Sequence, residues 1–373
     1  MDRREFLGFS AAAVAGIGLS GLLPQRLDAM GRRPKESYNL IILGDTHYDA
    51  EPASVYHAHY NEPTEWLNRV QRAEFARNGE MWRDRCPRLL KRAACLVDEN
   101  TRAVLHMGDL IQGDCGNGDV HRKMLDDVMN YFKETFGGLP LVMVAGNHDI
   151  RGVDAKKVFH EYMPARMAQE LGIPVTKTTF SFNVGDDAFI VVDFNDPDDA
   201  EVDRLLAQTK GCRHTFVMVH GPVFPFDGAS CRWFWHGKDT EARLHFRREL
   251  AARQAIVLTG HVHRTELADW WGDGGRITQM TFNSVWSKPE LDQYNIISEG
   301  AAQYGTMRSG FKRDDGKPIM DETPLFDEYR SGLKRYTVSP AAGSYKLHVS
   351  RKGITVDFYA GDATFVTEKF VLR

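Results

Sequence analysis

Five short apolar runs in this chain each end in a glycine or histidine set among polar residues, and this recurrence restricts the fold more than any other feature. Leu40-Ile41-Ile42-Leu43 leads into Gly44-Asp45-Thr46-His47, and Ala103 to Met107 leads into Gly108-Asp109. Leu141 to Ala145 leads into Gly146-Asn147-His148-Asp149. Thr215 to Val219 leads into His220-Gly221, and Ala255 to Thr259 into Gly260-His261-Val262-His263. Short apolar, often β-branched runs bounded by glycine read as strands buried on both faces. Amphipathic stretches at 80–97, 121–136, 154–171, 201–208 and 240–253 lie between them. Strand alternating with helix predicts an α/β fold. Ligands in such folds gather beyond the carboxyl ends of the strands, so the five polar clusters should meet on one rim.

The chain has 373 residues, of which 42% are hydrophobic and 26% charged, enough apolar material for a well-filled core. At roughly 150 residues per domain, that length suits two domains or one large elaborated one. Lys and Arg number 47 against 51 Asp and Glu, a net charge of −4, which argues against a dedicated nucleic-acid binder. Fourteen His beside five Cys exclude a disulfide-built mini-fold and thiolate zinc modules, and point to histidine chemistry.

The clusters supply Asp45, His47, Asp109, Asn147, His220, His261 and His263. Carboxylate with imidazole suits zinc, manganese, iron or nickel rather than calcium, which prefers oxygen alone. Seven donors exceed the needs of one catalytic ion with an open position but suit two ions that share a carboxylate. Two divalent ions and two aspartates leave a positive surplus, which suits an anionic substrate.

In their order, Gly44-Asp45-Thr46-His47, Gly108-Asp109, Gly146-Asn147-His148-Asp149, His220 and Gly260-His261-Val262-His263 resemble the motifs of the calcineurin-like metallophosphoesterases. They span Asp45 to His263, about three-fifths of the chain. The combination is specific where each short motif alone is weak. The resemblance implies a four-layer αββα sandwich of two mixed β-sheets. It implies one ion held by Asp45, His47, Asp109 and His263, and a second held by Asp109, Asn147, His220 and His261, with Asp109 bridging. The ions would be divalent or trivalent manganese, iron or zinc. Spaced about 3.5–4 Å apart, they would activate a bridging hydroxide for in-line attack on phosphorus. His148 would ligate no metal and would assist the leaving oxygen. One position departs from the pattern. Many members place Asp or Asn three residues after the bridging aspartate to orient the catalytic histidine, and here Gln112 stands there. Asp114 and Asp149 are candidates to take over that role.

Other residues are weaker candidates. Arg232, Trp233, Trp235 and His236, in the loop that leaves His220, could wall a substrate pocket, against the plainer reading that the aromatics pack this loop onto the core. Trp270, Trp271 and Trp286 carry the same two readings, and Asn283-Ser284 follows a strand pattern toward the site. His57, His59 and Asp49 read as loop or rim residues. Cys212 with Cys231 is a conceivable disulfide, and Cys115 is the thiol nearest the Asp109 loop.

The N-terminus, Met1-Asp2-Arg3-Arg4-Glu5-Phe6-Leu7 followed by an Ala- and Gly-rich run to Leu23, resembles a twin-arginine export signal over residues 1–29. An uncleaved anchor is the competing reading. Beyond it we expect a catalytic domain over 36–286, a polar insertion or lid over 287–334, and C-terminal strands over 335–373 that complete the sandwich. Tyr345 to Val349 and Ile354 to Tyr359 alternate around Arg351-Lys352-Gly353, a hairpin pattern. The expectation is an exported, periplasmic or extracellular dinuclear phosphoesterase that meets the twin-arginine machinery during secretion and has no stable membrane partner. A small organic phosphomonoester is the expected substrate. A phosphodiesterase for cyclic nucleotides or phospholipids, and a catalytically silent protein that binds phosphorylated ligands, are the alternatives.

Overall fold

The computed structural model describes residues 37–225, 240–283, 298–305 and 323–373. The export signal read over residues 1–29 lies outside them. In chain order the elements are β1 (Ser37–Leu43), α1 (Ala53–Tyr56), α2 (Glu65–Asp84), α3 (Cys86–Ala94), β2 (Thr101–His106), α4 (Gly118–Thr135), β3 (Leu141–Met143) and α5 (Ala155–Leu171). Then follow β4 (Phe180–Val184), β5 (Asp187–Val192), α6 (Asp199–Gln208), β6 (Thr215–Val219), α7 (Thr240–Ala252), β7 (Ile256–Thr259), β8 (Thr265–Gly272) and β9 (Gly275–Thr281). The C-terminal part adds β10 (Ser298–Glu299), α8 (Thr323–Arg330), β11 (Leu333–Ser339), β12 (Gly343–Ser350), β13 (Gly353–Ala360) and β14 (Glu368–Val371).

These strands form a six-stranded sheet, β14-β13-β12-β1-β2-β3, and an eight-stranded sheet, β10-β11-β8-β9-β7-β6-β5-β4. Both are mixed. In the first, β1, β2 and β3 run parallel while β12, β13 and β14 pair antiparallel. In the second, β5, β6, β7 and β9 are parallel, flanked by antiparallel strands. Helices α3 and α5 pack on the first sheet, and α6 and α7 on the second. The four-layer α/β sandwich expected from the resemblance is therefore the observed architecture.

Strand alternation divides the core. Phe189, Val191, Phe216, Met218, Ile256 and Leu258 of the eight-stranded sheet join the cluster shared with the six-stranded sheet and its helices. Their neighbours Ile190, Val192, Val217, Val219 and Val257 face the other way, into a second cluster under α6, α7 and α8. Tyr304, Phe326, Tyr329 and Leu333, from the described part of 287–334, are buried in that second cluster. Full burial of one such side chain contributes roughly 1.5–3 kcal/mol, so the sandwich interface is the main source of stability.

Polar contacts tie the sheets together. Tyr38 of β1 donates its hydroxyl to Asp187 Oδ2 of β5 at 2.8 Å, and Arg213 Nε holds Asp187 Oδ1 at 2.9 Å. Tyr345 of β12 shares a hydrogen bond with Thr265 Oγ1 of β8 at 2.6 Å, and accepts one from the Asn283 N–H at 3.0 Å. Asn283, expected near the site, is buried in this second tie, and its side chain donates to the Pro340 carbonyl at 2.8 Å.

The helix expected at 80–97 differs most from the structure. Helix α2 begins at Glu65, where Thr64 accepts a hydrogen bond from the Leu67 N–H. It breaks at Arg85, before Pro87 opens α3. Proline lacks an N–H and suits a first helical turn, so it starts a new helix rather than extending the old one. The C-terminal hairpin forms as expected, with Ser350 opposite Gly353. Among the described residues no helix is long and apolar enough to cross a membrane, and Cys95, Cys115 and Cys212 are free thiols. Cys231 lies outside the described residues.

Asp187 is fully buried, and its removal takes away the carboxylate that Tyr38 and Arg213 both engage. Asp187→Ala should lower the unfolding free energy by about 3 kcal/mol, and Tyr38→Phe alone by about 1 kcal/mol. In urea titrations the double variant should be no less stable than Asp187→Ala; fully additive losses would show that the tie is not an energetic unit.

Candidate metal centre

The five predicted clusters occupy the loops just beyond the carboxyl ends of β1, β2, β3, β6 and β7. These loops turn sharply. His47, Asp109, His261 and His263 have φ of 46°, 51°, 70° and 49°, in the left-handed region that residues with a Cβ avoid. Each such residue costs about 1–3 kcal/mol, a strain held in place by surrounding hydrogen bonds. The Asp109 carbonyl accepts from the N–H groups of Thr46 at 3.1 Å and His47 at 2.9 Å, and the His220 carbonyl from Gly260 N–H at 3.0 Å. Glycine permits the closest approaches. A Cβ on Gly146 would stand 2.0 Å from Asp109 N, and one on Gly260 would stand 2.3 Å from Asp45 Oδ1.

All seven predicted donors come together. On one side, His263 Nε2 lies 2.9 Å from Asp45 Oδ2 and 3.2 Å from His47 Nε2, and His47 Nε2 lies 3.8 Å from Asp109 Oδ2. On the other, His220 Nε2 lies 3.3 Å from Asp109 Oδ2, 3.3 Å from Asn147 Oδ1 and 3.2 Å from His261 Nδ1. Asp109 therefore sits between the two groups. Its Oδ1 accepts the His148 N–H at 2.7 Å, which leaves Oδ2 facing both sides. Asp45 is oriented by the His261 N–H, 3.0 Å from each of its oxygens.

The donor chemistry fits cations. His220 Nδ1 lies 2.6 Å from the Met107 carbonyl, so Nδ1 carries hydrogen and Nε2 turns its lone pair inward. Around that lone pair lie a carboxylate oxygen, an amide oxygen and a second imidazole nitrogen, a set that a positive charge at its centre would satisfy. In the absence of metal a proton fills this role. Burial alone would lower the imidazole pKa of His220, yet the Asp109 and Asp45 carboxylates hold it up at about 9. Burial combined with neighbouring imidazoles keeps His47 and His261 well below the usual histidine range. Despite burial, Asp109 lies well below the usual carboxylate range because His220, His148 and His47 surround it.

His148 packs edge-on against the His47 ring, with centroids 4.4 Å apart. Its Nδ1 lies 2.7 Å from the Gln112 main-chain carbonyl, so the Gln112 backbone orients this ring. Neither candidate aspartate does so. Asp149 accepts from Gly146 N–H at 2.8 Å and Ile111 N–H at 3.1 Å, and Asp114 pairs with Arg151 Nε at 2.5 Å. The Gln112 side chain turns away and accepts from Asn78 Nδ2 at 2.5 Å.

Motif reading missed Arg151, whose Nη1 lies 3.3 Å from His148 Nε2, and Gln71 and Glu74 of α2 beside it. His57 is buried rather than on a rim: it pairs with Asp49 at 3.1 Å and stacks on Phe75 with ring centroids 3.9 Å apart. Cys115 is buried and contacts Met124 Sδ at 3.7 Å, away from the donors. Trp270 packs in the second core cluster, and Trp271 is exposed. Arg232, Trp233, Trp235 and His236, with Trp286 and Ser284, lie outside the described residues.

Residues 38–265 match the model of the family described as calcineurin-like phosphoesterase. Among solved structures, that of PhoD is similar with a TM-score of 0.51 and 12% identity, covering 90% of this chain and 67% of that chain. Purple acid phosphatase PPD1 from yellow lupin (Lupinus luteus) seeds is similar with a TM-score of 0.51 and 12% identity, covering 90% of this chain and 53% of that one. At such identity the likeness concerns the fold. No curated protein gives a significant sequence match.

The His220 proton must leave before a metal can bind, because only the neutral imidazole is a ligand. His220 titrates above its usual 6.5, at about 9, so the metal-free centre is protonated below that value and metal affinity should fall as pH drops through it. Calorimetric titration with Mn²⁺ at neutral pH, in buffers of different ionisation heat, should show about one proton released per metal-loaded centre. An affinity unchanged between pH 7 and pH 9 would contradict this electrostatic picture.

Proposed function

The chain belongs to the calcineurin-like phosphoesterase family, a family of metal-dependent phosphoric ester hydrolases, and from this premise we propose that it cleaves small organic phosphomonoesters at the Asp109-centred cluster. The observation that carries the proposal is the convergence of seven donors and His148 around a single shared carboxylate. Asp45, His47, Asp109 and His263 would hold one ion, and Asp109, Asn147, His220 and His261 the other. Bound there, two such cations supply a water-derived nucleophile at neutral pH and neutralise phosphoryl oxygens.

The protein's own groups do the remaining work. The Met107 carbonyl fixes the His220 tautomer, and the His261 and His148 main-chain N–H groups fix the two aspartates, so the donors need little reorganisation when a charged substrate arrives. His148 commits Nδ1–H to the Gln112 carbonyl, leaving Nε2 as the atom that faces the departing oxygen and that would give it a proton when the ring is in its imidazolium form. Gln112, where many members have Asp or Asn, is the feature that favours a catalytically silent binder, and a main-chain carbonyl that orients the ring whatever side chain stands there weighs against that reading. We further propose export through the twin-arginine route, on the paired Arg3-Arg4 and the apolar run behind them.

Side-by-side hydrolysis of an aryl monophosphate and a bis-aryl phosphate by metal-replete protein tests the substrate class. The monoester should be preferred by at least about tenfold in kcat/KM, and the reverse preference would support a phosphodiesterase. His148→Ala should keep its metal and lose roughly 10²–10⁴ in kcat. Asp109→Ala should lose metal as well. Wild-type turnover by a metal-replete Asp109→Ala protein would refute the bridging assignment.

A further inference from the structure

We propose that Arg151 is a substrate-contacting residue whose guanidinium grips the phosphoryl group beside His148, with Asp114 as its positioning residue. The inference rests on the phosphoesterase reading and deepens it. Arg151 follows the Gly146-Asn147-His148-Asp149 motif by two residues. Its side chain reaches back to His148.

A guanidinium has five N–H donors in a rigid fork. Nε donates to Asp114 Oδ2 at 2.5 Å, and Nη2 also reaches Asp114. Nη2 lies 3.3 Å from Gln71 Oε1 and 3.6 Å from Glu74 Oε2, both on α2. These partners occupy one side of the fork. Nη1 points the other way, 3.3 Å from His148 Nε2, the ring nitrogen directed at the reaction. Arg151 thus presents a fixed positive charge at the edge of the metal cluster, where an anionic phosphoryl group would lie. Arg–phosphate contacts of this kind are strong and directional.

The support beneath it is built. Asp114 is buried, adopts a left-handed φ of 53°, and donates its main-chain N–H to the Arg151 carbonyl at 2.6 Å. A Cβ on Gly113 would stand 2.1 Å from the His148 carbonyl, so the 113–115 and 148–152 segments are in tight contact. The Arg151 side chain remains 30% exposed. Glu74 limits the site: its carboxylate lies 3.9 Å from His148 Nε2 and opposes an incoming anion.

Calorimetric binding of inorganic phosphate to the metal-loaded protein, together with aryl phosphate kinetics, tests the proposal. Arg151→Gln should bind the same metal content, weaken phosphate binding by about tenfold or more, and lower kcat/KM. Arg151→Lys should fall between, because an ammonium keeps the charge and loses the fork. Added guanidinium ion should partly restore an Arg151→Ala protein. Glu74→Gln should tighten phosphate binding, opposite in sign to Arg151→Gln, whereas a shared structural role would move both the same way. Wild-type phosphate affinity and turnover in Arg151→Gln would overturn the assignment. If Arg151→Gln fails to fold, wild-type phosphate affinity in Arg151→Lys would overturn it equally. A wild-type protein that hydrolyses no phosphoester but still shows the Arg151-dependent phosphate affinity would sink the enzymatic reading and leave the contact standing.

Discussion

The Asp109 carboxylate is the point on which the two halves of the molecule meet. Its strand belongs to the six-stranded sheet, yet its Oδ2 faces His220, which leaves the end of β6 in the other sheet. One oxygen is pinned by the His148 N–H, and the other is left for both donor groups. No single sheet could gather these seven side chains. The parallel centres of both sheets must present their carboxyl ends to the same rim, and the large buried interface between them keeps those ends in register.

That rim is locally unfavourable. Four donor residues take left-handed backbone conformations, and several imidazole nitrogens and carboxylate oxygens crowd together at close range. Functional sites commonly depart from local preference in this way, with rigid surroundings bearing the cost. Here the surroundings are strands whose side chains are almost wholly buried, and ties such as Tyr38 to Asp187 and Tyr345 to Thr265 that fix one sheet against the other. A scaffold with less apolar burial could not hold the same loops.

Much of this was legible in the residues because strand and ligand are adjacent in the chain. Gly260-His261-Val262-His263 after Ile256–Thr259 carries both its buried strand and its donors in one stretch. What was not legible depends on contacts between distant segments. Helix α2 is polar along most of its length, with few buried residues, so apolar periodicity does not mark its start. Strand β8 contains the buried Glu266 and Asp269, which obscure its alternation until their partners Thr281 and Arg276 are seen. The orientation of His148 runs through a main-chain carbonyl, and no side-chain motif encodes it. Arg151 gains its place only because Asp114 and α2 lie beside it in three dimensions.

The proposed sharing of Asp109 by two cations is open to direct test. The most direct measurement is an anomalous-scattering map from crystals of metal-replete protein. Two peaks about 3.5–4 Å apart are expected, one on each side of Asp109 Oδ2. A single peak at full occupancy, or two peaks that do not share that oxygen, would contradict it.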